Sequence, residues 1–195
     1  MSSFALYLQI GYEHIVNWKA YDHIMFIVAL CAAYQLSQWR NILILITAFT
    51  LGHSLTLALA TFQLILIPRN IIEFLIPFTI LITSVYNVRQ KPKEIGRKKV
   101  GLNYIMALFF GCIHGMAFSG ELQMLLGKEE NIVSELLAFN IGIELGQILI
   151  VLGIFVAAYL VLKIASIKHH SWNLALSSIA GMMSVYLMFE NWPWG

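Results

Sequence analysis

The sequence predicts an all-α integral membrane protein. About six transmembrane helices follow a short N-terminal interfacial or re-entrant helix, in a single domain over residues 1–195. Two observations carry this prediction. The chain is 59% hydrophobic and only 11% charged, with a mean hydropathy of +0.78, whereas a soluble domain carries about 25% charged residues. No soluble core of this length hides so much apolar surface, so the bilayer is the expected solvent. The second observation is periodic. Apolar runs at 20–36, 41–62, 71–88, 101–121, 134–162 and 172–190 are each near the length of roughly 20 residues that crosses a bilayer.

The elements follow in order. The first run is short, so residues 4–18 are expected to form their own helix. The fifth exceeds what a bilayer needs and is expected to tilt or project. The one hydrophilic linker is "RQKPKEIGRKK", 89–99. With six spans, the loops 35–41, 89–100 and 163–171 share one side and hold nine of the twelve Lys and Arg residues. Lys19, Arg69 and Lys128 are left on the other. The basic side is expected to be cytoplasmic and both termini outside. His169 and His170 then fall in a basic loop, as a solvated pair. The N-terminus has no Lys or Arg before Lys19 and so lacks the basic region of a signal peptide. Cys31 and Cys112 lie in apolar runs, as small buried hydrophobes. The net charge of +2 gives no reason to expect a nucleic-acid partner.

The polar residues inside the spans carry the functional reading. "TAFTLGHSLTL" places His53 roughly 18 Å above the start of the second span, and "FFGCIHGMAFSG" places His114 roughly 20 Å above the start of the fourth. "AFNIGIELGQ" puts Asn140, Glu144 and Gln147 in the outer half of the fifth, at the i, i+4, i+7 spacing of one stripe. The first span opens on Asp22 and His23. Four spans therefore bring polar groups to one layer in the outer half of the membrane. Thr47, Thr50 and Ser54 form a stripe with His53 at its flank. Gly142 and Gly146, and the Gly111–Gly115 pair beside His114, suit close helix packing. Neutral imidazoles with carboxylates ligate zinc, nickel, cobalt or iron, and a bound dication offsets the charge of buried Asp22 and Glu144. A proton relay is the other option, but the inner half offers only scattered neutral groups such as Ser84, Asn87 and Asn103.

The stretches "GYEHI", "YDHIMFIVAL", "TAFTLGHSLTLALA", "LFFGCIHGMAFS" and "LAFNIGIELGQ" resemble the HupE/UreJ family of small bacterial membrane proteins, most closely its short, Bacteroidetes-type form. The resemblance implies a multi-pass protein of the bacterial inner (cytoplasmic) membrane and a nickel or cobalt permease. It also implies metal ligation by His14, Asp22, His23, His53 and His114 with Glu144 nearby. Ser54, Asn140, Glu144 and Gln147, polar groups at the same depth, are expected to support the ligands. Two functions are weighed on this basis. One is a divalent-cation permease. The other is a zinc-dependent intramembrane hydrolase acting on a lipid or membrane-embedded substrate, with Glu144 as its catalytic base. A serine hydrolase is disfavoured, because "AFSG" at Ser119 lacks the GxSG pattern. The expected partners are the bilayer and a divalent transition metal (Zn, Ni or Co). Self-association and membership of a larger membrane complex stay open.

Overall fold

The computed structural model describes residues 2–18, 21–65, 67–89, 97–126 and 132–193, with the backbone alone described over 97–100. Eight α-helices account for nearly all of them: α1 (Ser3–Val16), α2 (Tyr21–Ala32), α3 (Trp39–Thr61), α4 (Arg69–Arg89), α5 (Arg97–Ala117), α6 (Ser119–Leu126), α7 (Ile132–Tyr159) and α8 (His169–Glu190). No strand occurs among the described residues. Lipid cannot satisfy a bare peptide group, so each apolar run closes its own hydrogen bonds as a helix. The segments Leu36–Thr61, Arg69–Arg89, Ile132–Ile164 and His169–Glu190 are each long and apolar enough to cross a membrane. Two bent pairs, α1 with α2 at 68° and Gly101–Ala117 with Ser119–Leu125 at 50°, bring the number to six if each is one span.

The fourth apolar run, expected as one helix over 101–121, is broken at Phe118 between α5 and α6. The chain between α7 and α8 also departs from expectation. A π-helical turn, Leu160–Ile164, ends the long helix, and α8 then starts at His169. His169 is therefore not a solvated loop residue. Its Nε2 lies 3.0 Å from the Tyr34 carbonyl, in the turn just beyond the end of α2. His170 is exposed. The 90–96 part of the basic linker, Lys19, Lys128, Glu129, Glu130 and Trp194 lie outside the described residues.

Glycine sets how closely the helices meet. A Cβ on Gly52 would stand 2.0 Å from the Leu108 carbonyl oxygen, and one on Gly111 would stand 2.1 Å from that of Phe49. Thus α3 and α5 touch backbone to backbone, and the contact holds His53 and His114 against a common seam. The same holds for α1 and α7. A Cβ on Gly11 would meet the Phe139 carbonyl oxygen at 2.0 Å, and one on Gly142 that of Leu8 at 2.1 Å. The N-terminal segment thus forms a helix of its own and lies along α7 with Tyr7, Gly11 and Ile15 buried.

The bundle has two ends. The upper one carries the close of α3, the start of α4 and the close of α8. Gln123 Nε2 donates to the Ala60 and Thr61 carbonyls there. At the lower end Asn87 donates to the Ala29 carbonyl and Asn173 to that of Asn87, tying α2, α4 and α8 together.

Candidate metal centre

His14 stands near the end of α1 and His23 near the start of α2, so the bend between these helices turns both imidazoles toward each other. Their ring centroids are 4.9 Å apart. His53 reaches the same point from α3, with its ring 6.2 Å from His14 and 6.3 Å from His23. His114 comes from α5, 5.1 Å from His23. His14, His23 and His53 each offer a ligand atom within 4.8 Å of the others. His23, His53 and His114 are at most 4% exposed.

These rings are buried with nitrogens that bond nothing. His14 Nε2, His23 Nε2, both nitrogens of His53 and His114 Nδ1 lack a hydrogen-bond partner. An orphaned buried polar atom costs about 1–3 kcal/mol, so several at one spot call for a ligand that takes nitrogen lone pairs.

Two of the rings are also oriented for that. Asp22 Oδ1 accepts from the backbone N–H of His23 at 2.8 Å and lies 3.0 Å from its Nδ1. A carboxylate can only accept, so Nδ1 carries the proton and Nε2 keeps its lone pair. On the other side, the Thr79 hydroxyl donates to the Ile76 carbonyl at 2.7 Å. Its proton is spent there, so at 3.1 Å it accepts from His114 Nε2, and the lone pair falls on the orphaned Nδ1. Partners that fix the tautomer of an imidazole in this way are a recurrent feature of metal ligation.

The remaining candidates form a seam between α3 and α7. Asn140 donates to the Leu136 carbonyl, lies beside the His53 ring and keeps an unpartnered Oδ1. Gln147 Oε1 accepts from Thr50 at 2.9 Å. Glu144 Oε1 accepts from Thr47 at 2.6 Å. Ser54 donates to the Thr50 carbonyl of its own helix. Glu144 is thus bonded to a residue six positions below His53 on α3, about 9 Å along the axis.

His14 and His23 border a cavity of about 650 Å³ at the upper end. Glu13, Asp22, Glu73 and Glu121 line it with His14 and His23, against Arg69 as the one Lys or Arg among the described residues of the lining. Arg69 is held by Glu73 at 2.6 Å and faces Glu121 at 3.6 Å. Glu144, Asn140 and Gln147 are not part of this lining. Sequence reasoning missed Thr79, Glu73 and Glu121. Thr79 carries no periodic signal, and nothing in the spacing of the two carboxylates points to a shared mouth.

A family model described as HupE / UreJ protein matches residues 1–192. The chain belongs to the HupE/UreJ family. Comparison of this HupE/UreJ protein with curated proteins and with solved structures gives no match.

Proposed function

We propose that the protein is a permease for a divalent transition metal, nickel or cobalt by family type. Its uptake station is formed by His14, His23, His53 and His114, with Asp22 orienting His23. The observation that carries this reading is the convergence of orphaned ring nitrogens of His14, His23 and His53, from α1, α2 and α3, on one buried point, with the His114 ring of α5 beside His23. Nitrogen ligands of this kind suit nickel, cobalt and zinc over magnesium or calcium, which prefer oxygen. The lined mouth agrees with a cationic cargo. Among the described lining residues, four carboxylates stand against one guanidinium, a balance that raises the local concentration of dications. The basic residues of the lower loops favour that end as cytoplasmic, so the cavity opens outside and both termini lie there.

The zinc hydrolase is less well supported. It needs a carboxylate base facing a metal-bound water, and the expected base, Glu144, is bonded to Thr47 and stands apart from the cavity lining.

Purified protein reconstituted in liposomes tests the reading. Wild-type protein is expected to carry external nickel or cobalt into the vesicles and to bind it in detergent, and His53→Ala to lose both. Metal that binds tightly but never crosses would overturn the permease in favour of a resident metal.

A further inference from the structure

Beneath the imidazoles lies a second compartment. Phe26, Phe49 and Phe110 are almost fully buried. The Phe26 and Phe49 rings are 4.7 Å apart, and they lie 5.3 and 5.1 Å from His114. Phe110 meets Phe26 at 6.2 Å. The far side of this aromatic layer is hollow. Phe26 and Phe110 themselves line a cavity of about 30 Å³, shared with Tyr34, Thr83, Asn87 and Asn103.

Its polar groups are arranged as acceptors. Asn103 uses its amide N–H on the Tyr34 hydroxyl at 2.7 Å, which leaves Oδ1 buried and without a partner. The Thr83 hydroxyl proton goes to the Thr79 carbonyl at 2.9 Å, so its lone pairs stay free. Thr79 is the same residue that accepts from His114. One turn of α4 therefore links the imidazole cluster above to the oxygen-lined hollow below. Asn103 sits six residues into α5, about 9 Å from its lower end.

We infer that this lower hollow is a second ion station, where oxygens of Asn103, Thr83 and Tyr34 receive a dehydrated divalent cation that has passed Phe26. The inference rests on the permease reading and supplies what that reading lacks, namely ligands below the histidines. The volume admits about two water-sized bodies, so a dication with its full hydration shell does not fit. Direct ligation by the wall replaces the lost water. Neutral oxygens hold a nickel-type ion more weakly than imidazoles do. A weak second station is what conduction requires, since an ion must bind well enough to enter yet loosely enough to leave. The aromatic layer keeps the two stations from joining into an open pore.

Two variants in liposomes and detergent decide it, with nickel as the probe. Asn103→Leu keeps the branched outline of the side chain but removes the acceptor, along with the N–H given to Tyr34. It is expected to cut nickel uptake by about tenfold or more while binding at the imidazole station is unchanged. Asn103→Asp is expected to hold a second nickel ion per chain. Uptake by Asn103→Leu within about twofold of wild type overturns the lower station and leaves the permease standing. If wild-type protein itself moves no nickel, the permease fails first and the inference with it. Should Asn103→Leu lose binding at the imidazoles as well, the leucine has disturbed the fold. The decision then passes to Asn103→Asp, where a second ion supports the station and a single ion overturns it.

Discussion

Replacing Asp22 by Asn isolates the carboxylate that orients His23. The side chain keeps its shape and an oxygen that can accept from Nδ1, now 3.0 Å away, but the unit charge is gone. A hydrogen bond to an ionised group is roughly twice as strong as a neutral one, and the side chain is only 28% exposed, so water screens little of the difference. Loss of such an orienting partner weakens metal binding by about 10–100-fold, which is about 1.4–2.7 kcal/mol. Calorimetric titration of nickel into detergent-solubilised protein reads this directly. Asp22→Asn is expected to keep the wild-type stoichiometry with Kd raised within that range, whereas His23→Ala, which removes a ligand, abolishes the site. Affinity within about twofold of wild type would refute the orienting role. Complete loss of stoichiometric binding would refute it from the other side, making Asp22 a ligand in its own right.

The remaining predictions are simpler to read. Gly111→Val places atoms where the Phe49 carbonyl already stands and should cost at least about 1–3 kcal/mol of stability, seen as a lower unfolding temperature in detergent; Gly153→Ala, with nothing within 4 Å of its added Cβ, should unfold with the wild type. Glu144→Gln should leave nickel affinity within about twofold, because that carboxylate serves Thr47, and a drop of tenfold or more would put Glu144 in the site. Cysteines at Lys93 and Lys128 should label from opposite faces of intact cells, position 93 being protected, and labelling of both from outside would reverse the orientation.

Much of the candidate site was legible because depth in a membrane helix is simple arithmetic. A fixed rise per residue brings His53, His114 and the start of the first span to one level, and the structure gathers their rings there. Azimuth was harder. The stripe of Asn140, Glu144 and Gln147 does share a face, but that face meets α3, so Glu144 finds Thr47 while Asn140 reaches His53. Spacing within one helix cannot say which neighbour it addresses. The position of α1 was illegible for the same reason, since its fit to α7 depends on residues more than a hundred positions apart. Thr79 was hidden differently, because a hydroxyl in a membrane helix usually serves its own backbone, and Thr79 does so while also accepting from His114.

The fit of α1 to α7 also sets a clock. Gly11 needs the backbone of Phe139 against it, and the Ser3 hydroxyl reaches the Glu135 carboxylate across 132 residues of chain. Translation proceeds at about 5–20 residues per second, so the ribosome adds the docking strip of α7 many seconds after α1 has emerged. During that interval His14 lacks Phe139, one of the two phenylalanine rings it packs against. The imidazole made first is seated last, and a nascent chain offers passing metal only an unfinished set of nitrogens. An N-terminal extension bulky enough to hold α1 off α7 would freeze the protein at that stage, inserted in the bilayer yet never completed.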